Sequence, residues 1–88
     1  MTIQQFEWNE WNIEHIDRHN VTPQEVEEAC FNQSVCRKTR EGLFLIYGQT
    51  DSGRYLLTVI RLKNRSTAYT ITSRPMTEKE KHFYRQEK

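Results

Sequence analysis

Apolar positions in the first third of the chain recur at helical spacing, whereas from Ser34 onward they bunch and alternate as strands do. Ile3 to Trp8 is a short leading strand by this pattern. Asn9 then offers an N-cap, and Ile13 and Ile16 follow at helical spacing. Trp8, Asn12, His15 and His19 share a neighbouring stripe, and Asn20 suits the left-handed residue that ends a helix. The next start signal is the clearest. Thr22 stands at an N-cap, Pro23 at the first helical position and Glu25 at the capping-box position, with Val21 and Val26 able to staple the entry. Val26, Ala29 and Cys30 form the buried stripe of this second helix, which Phe31 closes.

Four strands follow. They are Val35 to Arg40, Leu43 to Gln49, Tyr55 to Leu62 and Thr67 to Arg74, separated by turn signals at Glu41-Gly42, Asp51-Ser52-Gly53 and Lys63 to Ser66. Pro75 stops the last strand, and Thr77 caps a final helix with Glu80 at the box position and Phe83 able to dock on the sheet. The pattern predicts one α+β domain over residues 1–88: two N-terminal helices, a four-stranded antiparallel sheet and a C-terminal helix. One sheet face takes helices, and the other is free to hold a site.

Composition adds a constraint. The chain has 88 residues, 35% of them apolar, so a small core has little area to spare. A bound partner or a homodimer would supply more. Net charge is only +1, but the signs are segregated. Acids crowd between Glu7 and Glu28, and bases crowd at Arg37 to Arg40, Arg54 to Arg65 and Arg74 to Arg85. Either a basic face or a mixed solvated surface fits that distribution. No apolar stretch reads as a signal peptide or membrane helix, so a cytoplasmic location is expected, with Cys30 and Cys36 reduced. The cysteines lack a C-x-x-C pattern and give no metal signature.

Three constellations carry candidate chemistry. His15 and His19, one helical turn apart, have a chelating spacing without a third ligand, which favours ordinary helix-surface roles over metal binding. Trp8 and Trp11 are expected to pack, a base-stacking platform being the lesser alternative. Arg74 ends the last strand, and alternation places it beside Thr70 and Thr72, with Tyr84 on the helix that follows. A guanidinium held there suits a phosphate. A surface ion pair with Glu78 or Glu80 is an equal reading of the same residues.

In this order the pieces resemble the BrnT family of bacterial type II toxins. The family opens close to F-E-W-D, and this chain reads Phe6-Glu7-Trp8-Asn9. Asn12 and Arg18-His19-Asn20-Val21 correspond to the family's N and K-H-G-V, Glu28-Ala29 to its E-A, and Gly48-Gln49-Thr50 with Gly53-Arg54 to its G-x-T and G-R. Ile71-Thr72-Ser73-Arg74 stands for I-S-A-R, and Met76, Glu80-Lys81 and Tyr84 for the closing helix pattern. The resemblance covers nearly the whole chain. It implies a RelE-like fold and a metal-independent endoribonuclease that inhibits translation without a cofactor. It also implies a cognate antitoxin, through which alone the pair would reach operator DNA.

Carried over, Arg74, Tyr84 and His19 are the catalytic candidates. RNA supplies its own nucleophile, the 2′-hydroxyl. Arg74 suits the developing phosphorane charge, His19 proton transfer, and Tyr84 either phosphate orientation or, with a lowered pKa, proton exchange. Arg37, Lys38, Arg40 and Arg54 are the candidates for holding the RNA backbone. Two departures stand out. Asn20 replaces a glycine, and Tyr69 stands in the last strand where the family often carries an arginine. The second favours an alternative function, a non-catalytic binding module acting through a partner protein or operator DNA.

Overall fold

The computed structural model describes residues 3–88. In chain order the elements are β1 (Gln5–Glu7), α1 (Glu10–Asp17), α2 (Pro23–Phe31), β2 (Val35–Lys38), β3 (Phe44–Gln49), β4 (Tyr55–Leu62), β5 (Thr67–Pro75) and α3 (Glu78–Glu87).

Each helix begins at a reciprocal cap. Asn9 and Asn12 close the first box, Thr22 and Glu25 the second, and Thr77 and Glu80 the third. Each box satisfies backbone N–H groups that the first turn of a helix leaves free. Asn12 does more than cap. Its side chain is fully buried, and Nδ2 donates to the Glu7 carbonyl at 3.0 Å, tying the end of β1 to the start of α1. Asn20 takes the left-handed conformation (φ 58°) expected of it between α1 and α2.

The class is α+β, but the sheet is larger than the pattern predicts. It has five strands in the order β1-β5-β4-β3-β2. The leading strand is real, and it joins the sheet edge parallel to β5, pairing Gln5 with Thr67 and Glu7 with Tyr69. Three residues are too few to show a period, so the sequence pattern could mark β1 as a strand without assigning it a neighbour. The other pairings are antiparallel, as expected.

A second correction concerns β5. Val59 pairs with Thr72 but Ile60 pairs with Thr70, so Ile71 is an extra residue in a bulge. The alternation shifts there. Thr70 and Ser73 both turn into the core, and the Ser73 hydroxyl lies 2.8 Å from that of Thr58. Arg74 therefore shares its face with Thr72, Leu57 and Tyr47 and not with Thr70.

Helices α1 and α2 cover one face of the sheet. Ile16, Val21, Val26 and Ala29 pack on Leu56 there, beside Ile46, Ile60 and Ala68. On the opposite face α3 alone packs, over Tyr47, Leu57 and Met76. Gly48 lets α2 approach β3 closely. A Cβ at that position would fall inside the backbone carbonyl of Ala29 in α2. Gly48→Ala should therefore force α2 off β3 and cost about 3 kcal/mol, the upper part of the range for overpacked cores. A urea midpoint unchanged from the parent protein would refute this close approach.

Candidate active site on the open sheet face

Helix α3 lies across a face that it is too narrow to cover. Its inward residue is Tyr84, which is 2% exposed and donates its hydroxyl to the Gln33 carbonyl at 2.7 Å. With 3.6 residues per turn, the residues on either side of Tyr84 point to two separate flanks.

One flank borders an open cleft of about 270 Å³ lined by Arg37, Tyr47, Lys79, Glu80 and Phe83. Arg37 comes from β2, where its guanidinium lies 5.1 Å from the Phe83 ring centre. Tyr47 comes from β3, and its ring meets that of Phe83 at 4.8 Å. Beside the cleft, Arg74 holds Glu80 with a two-pronged fork, both N–H···O distances being 2.8 Å. The Arg74 guanidinium holds the Glu80 carboxyl below its usual range, and the Thr77 backbone N–H that Glu80 also accepts adds to this. The Arg74 pKa moves upward for the same reason, so the pair stays ionised.

The sequence-derived candidates separate in space. Arg37 lines this cleft, and Arg74 stands beside it, joined to the lining residue Glu80. Tyr84 supports it from beneath. Burial raises the Tyr84 pKa, the opposite of what proton exchange requires, and its hydroxyl is committed to Gln33. His19 is exposed at the end of α1, on the helix-covered side of the sheet. Arg54 is also on that side. It is a structural clamp, donating to the His19 and Asn20 carbonyls and pairing with Glu25 at 3.1 Å. Lys38 alternates away from Arg37 and lies 6.0 Å from the Phe44 ring centre, and Arg40 is exposed in the β2–β3 turn.

Three cleft residues escaped the sequence reading as functional groups: Tyr47, Lys79 and Phe83. Glu80 entered it only as a cap and as one partner for Arg74. The basic run near the C-terminus contained the signal for Lys79. Tyr47 carried none, since an aromatic in a strand reads as core.

The tryptophans also divide. Trp8 packs, with Nε1 donating to Glu27 at 2.8 Å. Trp11 does not. It is 53% exposed and stacks on His15 at 4.9 Å. Among the described residues no group of three His, Cys, Asp or Glu side chains converges as a metal site. Burial pushes the Cys30 thiol up to about 12, which fits a packed residue rather than a nucleophile. Among the described residues no helix is long and apolar enough to cross a membrane.

No family model matches the chain, and no curated protein or solved structure matches it either.

The Arg74–Glu80 pair has a pH signature. A depressed carboxyl pKa stabilises the fold above the ordinary carboxylate range, and that stability is lost as pH falls through the depressed value. Urea midpoints followed from about pH 6 to about pH 3 should fall more steeply for the parent protein than for Glu80→Gln. Parallel curves would show that the pair contributes nothing to the fold.

Proposed function

We propose that the protein is a metal-independent endoribonuclease with a RelE-like fold, the toxin of a type II toxin–antitoxin pair. The observation that carries this reading is the gathering of Arg37, Arg74 and Lys79 with a single carboxylate, Glu80, on the open sheet face. The α+β order and the resemblance to BrnT toxins agree with it.

The chemistry follows from the groups present. A phosphodiester entering the cleft competes with Glu80 for the Arg74 fork. Arg74 then faces the phosphorus, where negative charge grows as the 2′-oxygen attacks. Glu80, released from Arg74 and already ionised, takes the 2′-hydroxyl proton. Lys79 and Tyr47 carry dissociable protons for the departing 5′-oxygen, and Arg37 and Lys79 hold flanking phosphates. The products are a 2′,3′-cyclic phosphate and a 5′-hydroxyl. His19, on the other side of the sheet, has no part in this scheme. The protein acts in the cytoplasm, and a cognate antitoxin that binds operator DNA masks the basic cleft.

A second reading is a non-catalytic binding module. It is favoured by the two-pronged closure of Arg74 by Glu80 and by Tyr69, which stands where BrnT toxins often have an arginine.

Expression without a partner separates the two. Wild type should stop growth and leave RNA ends bearing 2′,3′-cyclic phosphate, and Arg74→Ala should lose about a hundredfold or more in cleavage. Equal cleavage by Arg74→Ala would displace the site. A wild type that cuts nothing, even with ribosomes present, would leave the binding module. Tyr84→Phe should behave differently from Arg74→Ala, costing about 1 kcal/mol of stability through the unpaired Gln33 carbonyl while the folded fraction still cleaves. A Tyr84→Phe protein of undiminished stability but abolished cleavage would move that phenol into the chemistry.

A further inference from the structure

The other flank of α3 carries charge that the cleft chemistry leaves unused. Lys81 and Arg85 project from it about one helical turn apart, and Lys88 follows at its C-cap. All three gather about Tyr55 at the start of β4. The Lys81 Nζ lies 5.5 Å and the Arg85 guanidinium carbon 5.1 Å from the centre of the Tyr55 ring. Lys88 stands 5.2 Å from the ring of Tyr84, which itself meets Tyr55 edge to face at 6.0 Å.

Acidic neighbours do little to offset this. Glu78 pairs with Lys81 at 3.2 Å, but its side chain is 87% exposed, so the pair is weak in water. Among the described residues neither Arg85 nor Lys88 has a carboxylate partner. Three cations held close together around a phenol repel one another, and an incoming anion relieves that repulsion.

We propose that this flank, Lys81, Arg85 and Lys88 around Tyr55, binds backbone phosphates of single-stranded RNA, with the Tyr55 hydroxyl donating to a phosphate oxygen. The ligand class rests on the ribonuclease reading of the cleft. Two features select RNA over an acidic protein segment. The site and the cleft flank one helix roughly 10 Å across, so a strand crossing α3 meets both. The site also pairs cations with a phenol donor, a combination suited to phosphate oxygens. The Tyr55 pKa is lowered, chiefly by Arg85 and further by Lys88 and Lys81, which makes its hydroxyl a stronger donor.

The test is fluorescence anisotropy with a labelled 2′-O-methyl oligoribonucleotide, which cannot be cleaved by its own 2′-oxygen. The full chain is titrated at several salt concentrations. Lys81→Gln/Arg85→Gln should weaken binding about tenfold at about 0.1 M salt and make the log K against log salt slope shallower by about 1.4, as for two phosphate contacts on a single strand. Lys81→Arg/Arg85→Lys, which keeps both charges, should restore most of the affinity. If the double glutamine variant fails to fold, Lys88→Gln should still flatten the slope by about 0.7, and Tyr55→Phe should weaken binding at unchanged slope. Unchanged affinity and slope in the variants would overturn the proposal. So would a wild type that does not bind the oligonucleotide. A double variant that loses binding to poly-glutamate but keeps the oligonucleotide would also overturn it, marking the flank as a surface for an acidic protein. Oligonucleotide binding that depends on Lys81 and Arg85, in a wild type that cleaves no RNA, would sustain this site while the ribonuclease reading of the cleft fell.

Discussion

The contact between Gly48 and Ala29 sets the rest of the molecule. With no side chain at residue 48, the backbone of α2 comes down onto β3, and Val26, Ile16 and Leu56 close the first core around that point. A core built that tightly needs few apolar residues, which is all this small chain has. Both N-terminal helices are used on one face. The other face receives one helix of ten residues across a five-stranded sheet, and what α3 leaves uncovered is where the cleft lies.

The electrostatics follow from that economy. Tyr84 fills the space beneath α3 and anchors it to Gln33, so the charged residues of the helix are pushed to its two sides. One side meets Arg37 and Tyr47 and is tempered by Glu80. The other meets Tyr55, and its one ion pair among the described residues is Lys81 with the exposed Glu78. A nearly neutral protein thereby presents concentrated positive charge in two small areas, while six of its twelve acids lie on α1 and α2 on the opposite face.

Local chemistry made most of the fold legible in the sequence. The capping boxes at Thr22 and Thr77, the left-handed Asn20 and the three hairpin turns each act over a few residues, and each stands where its pattern predicts. Long-range facts were hidden. Nothing in Gln5–Glu7 specifies a parallel neighbour sixty residues away, and nothing in Thr70 to Arg74 announces a bulge opposite Val59. That bulge decided the face of Arg74's neighbours, so of the two expected hydroxyls Thr72 stays beside it and Thr70 turns into the core, while the arginine itself sits on the open face. The site was legible in Arg74 and Arg37 and illegible in Tyr47, whose place beside them depends on strand pairing. Tyr84 resembled part of a family pattern, and in the structure it is held by burial and one hydrogen bond.

Glu80 accepts from the Thr77 backbone at the first turn of α3 and from the Arg74 fork at once. One carboxylate thus belongs both to a helix end and to a binding group, and the two equilibria are linked. An anion that draws Arg74 away leaves the helix end with a less constrained cap. By reciprocity, anything that fastens the start of α3 more firmly in its present form must weaken the anion by the same factor. On the ribonuclease reading, the affinity for RNA is therefore tied to the stability of the first turn of α3, to which Lys79 and Glu80 both belong.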